Sequence, residues 1–260
     1  MKFVLMICLL ASLSLSSKST NTLGDFIEIT VPTDQWHNVP ALLHLPKGSP
    51  KEKFPLIVCF HGKSIAGHDI NKLFREGVAR EIHEGKKIEA INKADGKLYK
   101  FIVLAPLAEN WGINPAHLKS ILDDVLKRYP IDRSRIYLTG YSAGGWCTTM
   151  AMTDNKALSS MIAATIPMSP APMDPVNYTQ FKNVADANIH AWYFFGTAEP
   201  QYLENSVRCI DSTNNHKKGL VKITRHEHKH CCWSEFYNPA YRDSTDGMSI
   251  YQWLLQYKKS

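Results

Sequence analysis

From about residue 54 onward the chain alternates between short, nearly continuous apolar runs and longer stretches where apolar residues recur every three or four positions. The runs cover residues 54–60, 100–105, 135–139, 161–168, 190–195 and 220–225. A strand with one wet face would alternate apolar and polar side chains. Unbroken runs rich in Val, Ile and aromatics instead predict strands of a parallel sheet covered on both faces. Between them, residues 115–129 place Leu118, Ile121, Leu122, Val125 and Leu126 on one helical stripe with charges elsewhere. Pro115 suits the first turn of that helix, and Pro130 follows its end. A last helix is expected over residues 247–257. Two earlier runs, 26–31 and 41–45, predict an antiparallel hairpin leading into the sheet. Repeated strand–helix units imply one α/β domain over residues 18–260, a mostly parallel doubly wound sheet with helices on both faces.

The amino terminus breaks this pattern. Met1-Lys2 precedes an apolar stretch from Phe3 to Leu15, with Ser14 and Ser16 small enough for signal peptidase. Residues 1–17 are expected to be a signal peptide, and the stretch is short of the about 20 apolar residues that span a membrane. The protein is therefore expected to be secreted or periplasmic. Export makes disulfides available, and loss of Cys8 leaves Cys59, Cys147, Cys209, Cys231 and Cys232. With an odd number, at least one thiol stays free or pairs between chains. Cys59, inside an apolar run, reads as a core thiol, and Cys147 is the expected partner of Cys231 or Cys232. The formal charge of +6 is spread over scattered pairs such as Lys86-Lys87 and Lys217-Lys218, which argues against nucleic acid as a partner. No glycine-rich dinucleotide or phosphate loop follows the first strand, and no paired cysteines have metal-ligand spacing, so neither a cofactor nor a metal is expected.

The sharpest local signal is Gly140-Tyr141-Ser142-Ala143-Gly144, between a β-rich run and a helix-compatible one. A strand-to-helix turn of this composition exposes one serine hydroxyl at the end of a sheet. Ligands in such sheets bind at the carboxyl ends of strands, so chemistry is sought in the loops there. His61-Gly62-Lys63-Ser64 follows the first buried run. A backbone amide of Gly62 or Lys63, with that of Ala143, would stabilise an oxyanion. Serine needs a base, and the base needs a carboxylate to orient it. Glu199, just past the run 190–195, is the expected acid, with Asp174 and Asp186 as alternatives. The base lies among His226, His228 and His230, which the pattern alone does not separate. Trp111, Trp146 and Trp233, with His61 and Tyr141, fall near strand ends and are candidate substrate contacts.

The blocks Arg128-Tyr129-Pro130-Ile131-Asp132 and Arg135 to Gly145 resemble the α/β-hydrolase superfamily. They are most similar to its branch of polyhydroxybutyrate-depolymerase-like, feruloyl- and acetylxylan-esterase-like proteins and the so-called predicted peptidases. His230-Cys231-Cys232-Trp233 resembles that branch's His-x-Cys-Trp segment, which implies His230 as the base, and Tyr251 to Leu255 resembles its final helix. The branch usually carries Asp where this chain has Glu199, and its oxyanion loop is richer in glycine. The resemblance implies a serine esterase with the triad Ser142, Glu199 and His230, acting on a small-molecule or polymer-attached ester. A serine peptidase and a silent binding protein are the alternatives. Only about twenty residues separate two of the runs where many relatives insert a lid, so no large lid domain is expected. A neutral imidazole base implies activity that falls below the ordinary histidine pKa near 6.5.

Overall fold

Both faces of each central strand are apolar because both are covered. In a computed structural model, which describes residues 22–260, the runs form one nine-stranded sheet. The expected signal peptide over residues 1–17, with Cys8, lies outside the described residues. The strands are β1 (Thr22–Leu23), β2 (Phe26–Pro32), β3 (Asn38–His44), β4 (Phe54–Phe60), β5 (Glu89–Ile91), β6 (Leu98–Lys100), β7 (Ile102–Pro106), β8 (Ile131–Tyr141), β9 (Ala164–Met168), β10 (His190–Gly196) and β11 (Val221–His226). The sheet order is β1-β2-β3-β7-β4-β8-β9-β10-β11, with β5 and β6 forming a separate hairpin. β1, β2, β3 and β7 pair antiparallel, and β7, β4, β8, β9, β10 and β11 run parallel. The chain leaves β4 first to β7 on one side and then to β8 on the other, so a crevice opens at the carboxyl ends of β4 and β8.

The helices are α1 (Val78–His83), α2 (Pro115–Arg128), α3 (Ala143–Thr153), α4 (Lys156–Ser159), α5 (Lys182–Asp186), α6 (Pro200–His216), α7 (Ser234–Tyr237) and α8 (Ile250–Leu254). Strand periodicity sorts the core into two layers. Leu56, Val58 and Phe60 pack with the apolar faces of α2, α3 and α6, whereas Ile57 and Cys59 face α1, α7 and α8. Among the described residues no helix is long and apolar enough to cross a membrane.

Most predicted elements are present, with informative differences at their ends. β8 extends back to Ile131, because Phe54 pairs with Ile131 before a register shift in the ladder. The last helix begins at Ile250 rather than near Gly247. Ser249 caps it by accepting from the Gln252 amide, and the Gln252 side chain accepts from the Ser249 amide. The β5–β6 hairpin was not expected. Its turn contains Asp95-Gly96, with Gly96 at φ 68°, which is the dipeptide that marks such turns.

Beyond β11 the chain is tied back to the sheet edge by a buried carboxylate. Asp243 accepts from Thr224 Oγ1 at 2.7 Å and pairs with Lys222 at 3.1 Å, while Trp192 Nε1 donates to the same Thr224 hydroxyl at 2.9 Å. Burial alone would raise the Asp243 pKa, but hydrogen bonds from Thr224, Thr245 and Lys222 outweigh it and lower the value to about 2. The depressed value stabilises the fold above the unfolded aspartate pKa, and that contribution is lost as pH falls through the folded one. Asp243→Asn is expected to cost about 2 kcal/mol at neutral pH. Urea unfolding of both proteins should show the gap closing between about pH 4 and pH 2.

Candidate active site

The turn after β8 is held in a backbone conformation that a serine rarely adopts. Ser142 has φ 56° and ψ −117°, a strain on the order of 1–3 kcal/mol. Its amide donates to Met168 O at 3.0 Å, and its carbonyl accepts from Trp146 N at 3.0 Å and Ala171 N at 3.1 Å. The glycines on either side allow α3 to start hard against the sheet. A Cβ on Gly140 or Gly144 would collide with backbone, with Gly144 itself in the first case and with the Phe60 carbonyl in both. The half-buried Ser142 hydroxyl therefore stands at the carboxyl edge of the sheet, at the crevice between β4 and β8.

Residues far apart in sequence converge on that hydroxyl. His230 Nε2 lies 2.8 Å from Ser142 Oγ, and His230 Nδ1 lies 2.5 Å from Glu199 Oε2. Glu199 follows β10 and immediately precedes α6. Its other oxygen accepts from the Gly196 amide at 2.6 Å and from the Ser169 hydroxyl. The Glu199 side chain is only 3% exposed. That burial pushes its pKa up, yet hydrogen bonds from His230, Ser169 and Gly196 outweigh it and leave the pKa below the ordinary value. The carboxylate is thus desolvated and still ionised. Tyr202, in the first turn of α6, stacks on the His230 ring with centroids 3.6 Å apart, and Trp233 meets the same ring edge-on at 5.0 Å. The arrangement can take a proton from serine and hold the resulting imidazolium against an anion and a π face.

The loop after β4 lies beside this group. Lys63 opens a short 3₁₀ turn over Lys63–Ile65, and Ala143 opens α3. Among the described residues neither amide donates to another protein group, so both are available at the site. Gly62 packs so tightly on Tyr141 that a Cβ there would lie 2.7 Å from the phenol ring.

Several expected contacts are corrected by burial. His61 is 5% exposed, with Nδ1 donating to Gly62 O and Nε2 accepting from Ala108 N, each at 2.9 Å. Both nitrogens are committed, which fixes the neutral Nδ1–H tautomer. The ring ties the loop after β4 to the segment after β7 and does not face a substrate. Tyr141 and Trp233 are also buried, stacked on each other at 4.7 Å beneath the site. Trp111, 38% exposed, stands edge-on to half-buried Trp146, with Lys63 Nζ 5.7 Å over its ring. The alternative acids lie elsewhere: Asp174 is exposed ahead of a 3₁₀ turn, and Asp186 is exposed and paired with Lys182. The other histidines diverge. His228 meets Glu235 at 3.0 Å, and His226 packs on Phe236 with burial lowering its pKa.

The cysteine expectation is overturned. Cys231 and Cys232 are joined to each other, while Cys59, Cys147 and Cys209 are free and buried. The reason is the direction of α3. Cys147 faces the loop at Gly112, where a Cβ would strike its sulfur, so it cannot turn to the His230 loop. Ser169 and Tyr202 were not singled out from sequence. Ser169 had a positional signal, since it directly follows β9 at the carboxyl edge; Tyr202 had none, because its role depends on where His230 arrives.

No protein-family model matches the sequence, and no curated protein matches it. Solved structures do. A thermostable esterase superposes with a TM-score of 0.65 at 21% sequence identity, over 90% of this chain and 64% of that one. A ferulic acid esterase matches with a TM-score of 0.56 at 13% identity, over 89% of this chain and 97% of that one. An acylaminoacyl peptidase from Pyrococcus horikoshii matches with a TM-score of 0.55 at 13% identity, over 79% of this chain and 37% of that one. The chain spans less than two thirds of the length of the thermostable esterase. At these identities the likeness establishes architecture: the chain has the α/β-hydrolase fold.

The geometry separates Glu199 from its alternatives experimentally. Glu199→Gln is expected to slow covalent modification of Ser142 by a fluorophosphonate by on the order of 10³- to 10⁴-fold, because an amide cannot hold the imidazolium. Asp174→Asn and Asp186→Asn should leave that rate unchanged. Rates measured side by side on folded protein decide between the three.

Proposed function

We propose that the chain is an exported serine hydrolase that cleaves carboxylic esters through an acyl-enzyme on Ser142. The observation that carries this reading is the unbroken hydrogen-bond chain from Ser142 through His230 to a buried, ionised Glu199. In the first step His230 Nε2 takes the hydroxyl proton as Ser142 Oγ attacks the ester carbonyl. The amides of Ala143 and Lys63 stabilise the oxygen that becomes negative. His230 then gives its proton to the departing alcohol. Water enters, is deprotonated by the same imidazole, and releases the acid product from Ser142. Glu199 keeps Nδ1 protonated and stabilises the imidazolium in both half-reactions.

The surroundings favour a bulky ester. Exposed Trp111 with Trp146 and Lys63 offers an aromatic surface next to the oxyanion loop. A small hollow of about 140 Å³ lies between Pro172, Met173 and Tyr178 and the first turns of α6. The segment between β9 and β10 is short and ends in α5, so among the described residues it inserts no separate domain over Ser142. Secretion follows from the expected signal peptide over residues 1–17.

The test is labelling of purified protein with a fluorophosphonate, with the modified peptide mapped and Ser142→Ala run beside it. The expected result is modification at Ser142 alone. Turnover of p-nitrophenyl acetate should fall at least on the order of 10³-fold in the variant. Folded protein that takes no label would make it a binding protein, and faster cleavage of small amides than of matched esters would make it a peptidase.

A further inference from the structure

The loop carrying His230 connects the end of β11 at His226 to the start of α7 at Ser234, and its backbone is lightly held. Cys231 N donates to Lys229 O at 2.7 Å and Glu235 N to Cys232 O at 3.1 Å. Among the described residues the amides of His228, Lys229 and His230 donate to no other group. Next to His230 the loop carries a covalent restraint. Cys231 and Cys232 form a disulfide between adjacent residues, with Cα atoms 3.8 Å apart. Cys232 sits at φ 72°, a left-handed conformation that non-glycine residues rarely adopt. On one side of the ring is His230, and on the other is Trp233, which packs edge-on to the imidazole and stacks on Tyr141.

We infer that the Cys231–Cys232 disulfide is a positioning group for His230, and that hydrolysis at Ser142 requires this ring to be closed. The inference rests on the proposed roles of Ser142, His230 and Glu199. With the ring closed, Cys232 cannot relax to an ordinary backbone angle, so His230 and Trp233 keep their mutual orientation. With the ring open, the left-handed residue is free to rotate, and the 2.8 Å contact of His230 Nε2 with Ser142 is no longer imposed by the loop. Opening needs a thiol reductant. One thiolate of a small dithiol attacks a ring sulfur and forms a mixed disulfide, releasing the other cysteine as a thiol. The second reductant thiol then closes on the first, so the reductant leaves as a cyclic disulfide and both cysteines are reduced, with two electrons and two protons transferred.

Both ring cysteines are partly exposed, whereas Cys59, Cys147 and Cys209 are buried, with burial pushing Cys59 and Cys147 up to about 12. A thiol reagent applied to folded protein without residues 1–17, and hence without Cys8, therefore reads the ring. A displacement of about 1 Å in a catalytic group costs on the order of 10²-fold in rate. Treating oxidised, folded protein with dithiothreitol and then iodoacetamide is expected to alkylate Cys231 and Cys232 only. Fluorophosphonate labelling of Ser142 and kcat for p-nitrophenyl acetate should fall by about 10- to 100-fold, with KM changing much less. Reoxidation before alkylation should restore the rate, and the double variant Cys231→Ser, Cys232→Ser should match reduced protein and ignore dithiothreitol.

Protein alkylated at both cysteines that keeps its circular dichroism and its full labelling rate would overturn the inference and leave the hydrolase reading intact. Oxidised protein that never labels would overturn both. Because reduction is applied to protein already folded, the test does not depend on the double variant folding.

Discussion

The backbone of Gly144 lies against the carbonyl of Phe60 with no space for a side chain between them, and the geometry of the site follows from that approach. It brings the amino terminus of α3 onto the end of β4, so that Ala143, whose amide donates to no other protein group among the described residues, starts the helix beside the loop of His61 and Gly62. It also forces the chain to turn within one residue, which puts Ser142 into its strained conformation. Strain of this kind persists only where the surroundings over-determine it. Here Met168, Ala171 and Trp146 hold both backbone groups of Ser142, and Cys147, Ala151 and Met152 bury the far side of α3.

Electrostatics complete what packing begins. A carboxylate as buried as Glu199 would ordinarily take up a proton, and the hydroxyl of Ser169, the amide of Gly196 and the imidazole of His230 keep it charged. Because that charge is shielded from water, its pull on the facing imidazole is stronger than it would be at the surface. Tyr202 and Trp233 remove two of the directions in which the imidazole could swing. His61 does a related task with neutral chemistry: its fixed tautomer joins two strand-end loops, and burial lowers its pKa so that the ring stays uncharged.

The elements differ in how firmly they are held. The parallel strands and α3 are almost wholly buried, while the loop from His226 to Ser234 is half-exposed and sparsely hydrogen-bonded. Ser142 and Glu199 thus stand at the ends of buried strands, and His230 comes from a sparsely hydrogen-bonded loop. A disulfide between neighbouring residues and a π stack restrict that piece at small cost in length.

Hydrophobic patterning alone marked the buried parallel strands, the antiparallel entry hairpin and the sheet covered on both faces, because burial of a strand or helix face is written in local periodicity, while the small β5–β6 hairpin left no such mark. The same reading located Ser142 and Glu199 as strand-end residues, since the ends of buried runs are visible in a sequence. It left three histidines unseparated on pattern, and resemblance rather than spacing pointed to His230. Tertiary structure alone decided that His230, not His226 or His228, meets both Ser142 and Glu199, that His61, Tyr141 and Trp233 are buried supports, and that Cys231 pairs with its neighbour. Periodicity records whether a side chain faces the core; it holds no record of which distant residue waits there. Those partners are set by the crossing of α3 over β4 and the path of the chain beyond β11, which exist only once the sheet has closed around them.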